Sequence, residues 1–398
     1  MSHSPAGLWE FFCRGDFVRN DKWNRILSYV LVALFSVTLT VAVMLGVFMF
    51  RQQGMSKLTV LEQLILDRFI GQTDQVAMED AAAHAMVNSL GDRWSYYIPA
   101  DEYEAYMEQM RNSYVGVGIT ITMEENGSIK VVGVVTGGPA EEAGIQVNDI
   151  VIKVDGQSIV GMTPNESKKL IQGEENTTVK ITVLRNEEER TMEVMRRAIR
   201  TPVVKSELLD HQIGLVSIYN FNSNCAVETI AAIEELIAKG AQKLIFDVRN
   251  NPGGYADELV KVLDYLLPEG KLFTTVDYTG AEHTDMSDAK CLDLPMAVLV
   301  NGNSYSAAEF FAAAMAEYDA AVVIGEKTSG KGYFQSTYQL PDGSAVGLSI
   351  GKYYTPKGES LADVGVTPDI PVSSEGNQAG LEPMQDVQVQ AAVKALLP

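Results

Sequence analysis

Three places in this sequence pair chemistry-bearing groups with settings that could position them: Ser306, Lys331 and the turn Asn251-Pro252-Gly253-Gly254. A serine hydroxyl becomes a nucleophile when a base takes its proton and amide N–H groups receive the charge on the attacked carbonyl. Histidine is the usual base. Of the four histidines, His3, His84, His211 and His283, none neighbours a serine in a G-x-S-x-G elbow, and no H-E-x-x-H occurs. A Ser-His-Asp triad and a zinc peptidase are therefore weak readings. A lysine can serve instead when burial keeps its amine neutral. Ser306 follows the apolar run MAVLVN and the loop GNSY and opens the helical AAEFFAAAMAEY. That setting puts its hydroxyl at the positive end of a helix dipole. Lys331 lies between Gly330 and Gly332, where backbone can bend closely around a site. Pattern alone keeps plainer roles open. Ser304 or Ser306 can simply cap the helix, Lys331 can be a solvated loop lysine, and the Gly-Gly turn can be only a turn.

Two other motifs are decoys. GEKTSGKG (325–332) nearly matches a phosphate loop, but glycine replaces the metal-binding hydroxyl and a β-type run follows where a helix should. Ser287 and Lys290 have S-x-x-K spacing in a polar connecting stretch without companion motifs.

The candidate groups fall on a strand–helix alternation. After Arg197, β-type runs (IGLVSIYNF, KLIFDVR, PMAVLVN, AVVIGE) alternate with helical ones, which predicts an α/β core with a mainly parallel sheet and flanking helices. In such sheets the loops leaving the carboxyl ends of strands collect functional groups. The loops 249–255, 301–306 and 327–332 are of this kind. Before that region, residues 114–197 read as a compact β-rich module with one short helix at PNESKKLIQG, and 58–112 read as mostly helical.

Residues 26–50 carry no charge and exceed the roughly 20 residues a membrane-crossing helix needs. A signal peptide would have a shorter apolar stretch, so an uncleaved anchor is expected. Arg14, Arg19, Lys22 and Arg25 precede it against Arg51 and Lys57 after it, which places the N-terminus in the cytoplasm and the rest outside. A net charge of −21 argues against a nucleic-acid partner. Cys13, Cys225 and Cys291 make no C-x-x-C. A Cys225–Cys291 bridge is open, but two buried free thiols are the favoured reading.

Together these segments resemble the carboxyl-terminal processing peptidases, or tail-specific proteases, over most of the chain beyond the apolar run. SLGDRWSYYIPADEY (89–103) is similar to the family's entry segment, with Arg93 and Trp94 in place of Pro-Tyr. YVGVGI (114–119) with GGPAEEAGIQVNDIVIKVDG (137–156) resembles a PDZ domain. DVRNNPGG (247–254), NSYSAAEFFAAAM (303–315) and TSGKGYFQ (328–335) resemble the oxyanion, nucleophile and lysine segments. The nucleophile segment commonly reads Ser-Ala-Ser-Ala-Ser-Glu. Tyr305 and Ala308 depart from it, at positions expected not to touch the nucleophile. The Arg-Gly that many members carry in the last PDZ helix reads Gln172-Gly173 here, which puts any coupling through that arginine in doubt.

The apolar run and the resemblance together give five expected segments: a cytoplasmic tail (1–25), a transmembrane helix (26–50), a helical N-terminal segment (55–112), a PDZ domain (113–197) and an α/β serine peptidase domain (198–398). The resemblance implies Ser306 as nucleophile, Lys331 as base and Gln335 as the residue that orients the lysine. Gly253, Gly254 and Ala307 would supply oxyanion amides. Tyr114, Val115, Gly116, Val117, Gly118 and Ile119 would bind the substrate tail. The implied partners are polypeptides with free, unstructured C-termini, with a homo-oligomer left open and no cofactor or metal. The rival reading is a catalytically silent PDZ protein that binds or presents tails; degenerate members normally lose the serine or lysine, and both are present here.

Overall fold

A computed structural model of the chain describes residues 21–53, 56–124, 127–373 and 382–397. Most of the expected cytoplasmic tail, with His3, Cys13, Arg14 and Arg19, lies outside the described residues. The chain divides between Ala82 and Ala83 into two units.

In the first unit, the helix Asp21–Gln53 contains a window, Arg25–Leu45, with a mean hydropathy of 2.4 and no buried residue. This helix is long and apolar enough to cross a membrane. The helix Lys57–Arg68 follows, started by Ser56, whose Oγ accepts the Thr59 N–H.

In the second unit, the β-rich region forms an antiparallel sheet in the order Ile119–Met123, Ile129–Val134, Ile150–Val154, Thr178–Arg185, Glu188–Met195, with Gln157–Ser158 beside Ile150–Val154. Alternate residues of these strands (Ile129 and Val131; Val179, Ile181 and Val183) point into one core. The helix Pro164–Ile171 starts with a full capping box between Thr163 and Glu166. Arg196 fills the space at its end, donating to the carbonyls of Leu170 and Ile171 directly under Gly173.

Past it, the peptidase-like region holds two sheets. One runs Val204–Leu209, Ile213–Ile218, Lys243–Asp247, Met296–Val300, Ala321–Gly325, Ile370–Pro371; its first pair is antiparallel and the others are parallel. Leu244 and Phe246 face one side, against the helices Cys225–Ala238, Ala256–Leu266 and Ala307–Glu317, whereas Ile245 faces Val389 and Ala392 of the helix Val387–Leu396. The other sheet is wholly antiparallel. It joins Tyr96–Ile98, Tyr333–Gln339, Gly270–Asp277 and Glu282–Ser287 around the long strand Ala345–Tyr354. The sheets are therefore mixed rather than mainly parallel. The second escapes a reading of apolar runs because its strands are largely half-exposed: Tyr333–Gln339 has no fully buried residue. It also draws Tyr96–Ile98, expected in a helical stretch, into the peptidase-like region.

Among the described residues Cys225 and Cys291 are free thiols; Cys225 is buried, but Cys291 is exposed in an irregular segment, against the expectation of two buried thiols.

Candidate active site

Ser306 precedes the helix Ala307–Glu317 and adopts φ 57°, ψ −125°, a conformation few L-residues take. The turn is over-determined by its neighbours. An added Cβ on Gly253 would lie 2.8 Å from Ser306 Cβ and 2.9 Å from the Ala307 nitrogen, so only glycine allows this approach. Ser304, the other serine of the segment, is fully buried and donates to the Val248 carbonyl at 2.8 Å while accepting the Asn301 N–H. Its hydroxyl braces the loop.

Lys331 comes from the loop between the parallel strand Ala321–Gly325 and the antiparallel strand Tyr333–Gln339. One side chain ties this loop to the Ser306 turn. Glu309, fully buried in the first turn of the Ser306 helix, accepts the N–H of Ser306 (3.0 Å) and of Lys331 (2.8 Å) on Oε2, and the N–H of Gly330 (2.7 Å) and the Thr328 hydroxyl (2.5 Å) on Oε1. Four donors satisfy both oxygens, the condition for a buried polar group to hold structure together. The Ser329 N–H adds a bond to the Ser304 carbonyl.

Burial lowers the Lys331 pKa to about 8, against the opposing pull of Asp92 and then Glu309. Asp92 is held below the usual carboxylate range: burial alone would raise it, but bonds from Ser349, Ser95 and the Trp94 N–H outweigh that. The segment carrying Asp92 leads into Tyr96–Ile98, so the antiparallel sheet delivers both the lysine and the acid that pulls on it most. Gln335 donates to Ser349 Oγ at 2.9 Å and to its neighbour Tyr333's carbonyl at 3.3 Å; among the described residues it makes no hydrogen bond to Lys331. No hydrogen bond joins Ser306 Oγ to Lys331 Nζ either. Tyr305 does not stay clear of the site: its ring packs on Trp94, and Lys331 Nζ lies 5.1 Å from the Trp94 ring centre and 5.7 Å from that of Tyr305.

The Gly-Gly turn is partly committed. The Gly253 N–H donates to Asn251 Oδ1 at 2.8 Å, and its carbonyl accepts from Phe221. Gly254 pairs with Phe221 in a parallel bridge, which points its own N–H away from Phe221. Among the described residues the N–H groups of Gly254 and Ala307 donate to no protein acceptor. These two residues also line a small apolar cavity of about 10 Å³ closed by Ala256, Leu259, Phe273, Phe310 and Tyr353.

His84, His283 and the decoys have other contacts. His84 packs edge-on against Tyr97, and the exposed His283 sits 3.4 Å from Asp285. Ser287 Oγ donates to the carbonyls of Pro268 and Gly270, and a strand rather than a helix follows the loop 326–332.

A second cavity, of about 630 Å³, follows the edge strand Ile119–Met123 and the helix Pro164–Ile171. Gly116, Val117, Gly118, Glu108 and Gln109 are among its lining residues. Gly118 takes φ +80°, and among the described residues the N–H groups of Val117 and Gly118 donate to no protein acceptor. Tyr114 and Val115 pair with Ile199 and Ala198 in a separate two-stranded ribbon.

The model of peptidase family S41 matches residues 212–372, and a PDZ domain model matches residues 130–185. A probable CtpA-like serine protease of Staphylococcus haemolyticus is 31% identical over 91% of this chain and 75% of its own length. The chain belongs to the carboxyl-terminal processing peptidases of family S41. The carboxy-terminal processing protease CtpA of Bacillus subtilis is 34% identical over 79% of this chain and 68% of that protein. Among solved structures, a photosystem II D1 C-terminal processing protease is 28% identical, with a TM-score of 0.45, over 80% of this chain and 87% of that one. Family membership makes the chain a serine-type peptidase with a PDZ domain.

Proposed function

We propose that this chain is a membrane-anchored endopeptidase that captures unstructured protein C-termini in its PDZ groove and cleaves them with Ser306 and Lys331. The observation that carries the reading is the union, through Glu309, of a strained serine turn with a half-buried lysine whose amine is largely freed of its proton at mildly alkaline pH. Lys331 takes the hydroxyl proton and later protonates the leaving amine. Gln335 orients the lysine once substrate draws the two side chains together; apo geometry is often looser than the reacting complex. The free N–H groups of Gly254 and Ala307 receive the oxyanion, while Gly253 supplies the close approach to Ser306.

The tail enters as an added strand beside Ile119–Met123, its carboxylate on the loop 116–118. The unpaired edge and the unengaged Val117 and Gly118 amides support this. Tyr114 lines the groove, and Val115 beside it, paired with Ala198, would hold that residue in place for the tail. The cavity beside Gly254 and Ala307 takes the side chain before the scissile bond. We assign 113–197 to the PDZ domain and 198–398 to the peptidase domain, preceded by a helical segment (55–112). Residues 26–50 anchor the chain, with 1–25 in the cytoplasm and the catalytic part outside, in keeping with the cationic residues before the apolar run.

Cleavage of unfolded casein by the full chain tests the reading. Wild type cleaves, whereas Ser306→Ala and Lys331→Ala are folded and inert. Full activity in Ser306→Ala would overturn it.

A further inference from the structure

Two of the chain's departures from the family pattern meet over the lysine. Trp94 stands where the entry segment usually has Tyr, and Tyr305 where the nucleophile segment usually has Ala. Their rings pack at 5.7 Å with planes 34° apart, and the Lys331 amine lies under both. Arg93 fixes this pair in place: its guanidinium sits 4.3 Å over the Trp94 ring, and its Nη2 donates to the Ser329 carbonyl in the lysine loop at 3.0 Å. The backbone N–H of Trp94 is held by Asp92. Both rings are half-buried, so they form part of the boundary between Lys331 and solvent.

We propose that Trp94 and Tyr305 are positioning residues for the base, an aromatic cap that keeps water from the Lys331 amine. The proposal rests on the reading of Lys331 as base. Rings near a cation act in two directions. Their faces attract an ammonium weakly, within a reach of about 6 Å, and both contacts lie towards the far end of that reach. The hydration they exclude favours the charged form far more strongly. The charged and titratable groups around the amine set the rest of the balance. Asp92 precedes the cap on its own segment and Glu309 lies on the nucleophile helix; both favour the ammonium. Arg93 and the phenol of Tyr305 belong to the cap. Asp363 donates its N–H to the Gly330 carbonyl, and Lys352, paired with Tyr333 across the strands, extends over that ring. Two acids close enough to raise the lysine are outweighed by burial, and the rings are a removable part of that burial.

The test is the pH dependence of kcat/KM for an unfolded fluorescent casein, using the full chain. In Trp94→Ala and Tyr305→Ala the acidic limb moves up by about one pH unit, and kcat/KM near neutrality falls about tenfold with it. Trp94→Phe and Tyr305→Phe, which keep a ring, leave the limb near its wild-type position. A merely structural loss would lower the whole profile without moving the limb. If both alanine variants leave the limb in place, or move it down as loss of a cation–π partner would, the cap is overturned. Should Trp94→Ala fail to fold by circular dichroism, the Tyr305→Ala and Tyr305→Phe pair decides alone. Lys331→Ala separates the two readings: if it is inert while the limb stays unmoved, only the cap falls, and if it is active, the base assignment falls and the cap with it.

Discussion

Glu309 accepts the backbone N–H of Lys331 at 2.8 Å, although one lies on the helix Ala307–Glu317 and the other in the loop before the strand Tyr333–Gln339. The same oxygen accepts the N–H of Ser306, so a single side chain ties together the backbone of the proposed nucleophile and the proposed base. Removing it strands four donors, two of them buried and two half-buried. Glu309→Ala is expected to cost about 3–5 kcal/mol of stability, in the range for breaking a buried charged network. Glu309→Gln keeps the volume but turns one acceptor into a donor that faces N–H groups. It should remain folded, with a drop of about 100-fold or more in kcat/KM. Urea unfolding with casein kinetics on both variants checks this, and a Gln variant with wild-type kcat/KM would show that the clamp is not needed.

Lys331 gives a pH prediction with a definite sign. A base works in its neutral form, so kcat/KM rises with pH and its acidic limb lies near about 8. Stability follows from the same depression. In the unfolded chain the lysine holds its proton up to about 10.4, so between about 8 and that value the unfolded state binds more protons and stability rises with pH. Below the folded value the full cost of burying the ammonium is present. Lys331→Met is therefore expected to raise the melting temperature at pH 7 relative to wild type, by a margin that shrinks as the pH approaches 10. An equal margin at both ends would mean that the amine is not desolvated.

The sequence carried the site's parts better than their connections. Ser306 and Lys331 stand out through their flanking strand, helix and glycines, because local pattern reports turns and dipoles. The buried Glu309 was visible as the closing Glu of the nucleophile segment but not as a clamp, since the value of a carboxyl that gathers four donors depends on which loops meet around it. Trp94 and Tyr305 read as incidental departures for the same reason: they are far apart in sequence and share a contact only in the fold. The antiparallel sheet was missed because half-exposed strands such as Tyr333–Gln339 lack the continuous apolar runs of the parallel strands. The PDZ-like strands were legible, as alternation there coincides with a single buried face.

Gly254 offers a cleaner test of the oxyanion assignment than a side-chain deletion. It has φ +152°, and an added Cβ would stand 2.3 Å from the Phe221 carbonyl carbon. Gly254→Ala must rotate or displace the turn and with it the free N–H. Loss of one such donor typically costs about two to three orders of magnitude in turnover. The expected signature is a fall in kcat with little change in the binding of substrate tails measured by fluorescence polarisation. Comparable losses in tail binding would point to wider disruption.

The small cavity beside Gly254 and Ala307 predicts where cleavage falls. Its walls are Leu259, Phe273, Phe310 and Tyr353, and its volume of about 10 Å³ is too little for a large side chain without movement of those rings. Small apolar residues such as alanine should precede the scissile bond, with charged ones rejected because nothing among the cavity's residues would pair with them. Mass spectrometry of casein digests reads this directly. Enlarging the cavity by Phe310→Ala should shift cleavage towards leucine or methionine, at a stability cost of about 3–5 kcal/mol for the lost core ring. If digests show acidic or basic residues there as often as alanine, the cavity is not the one that receives that side chain.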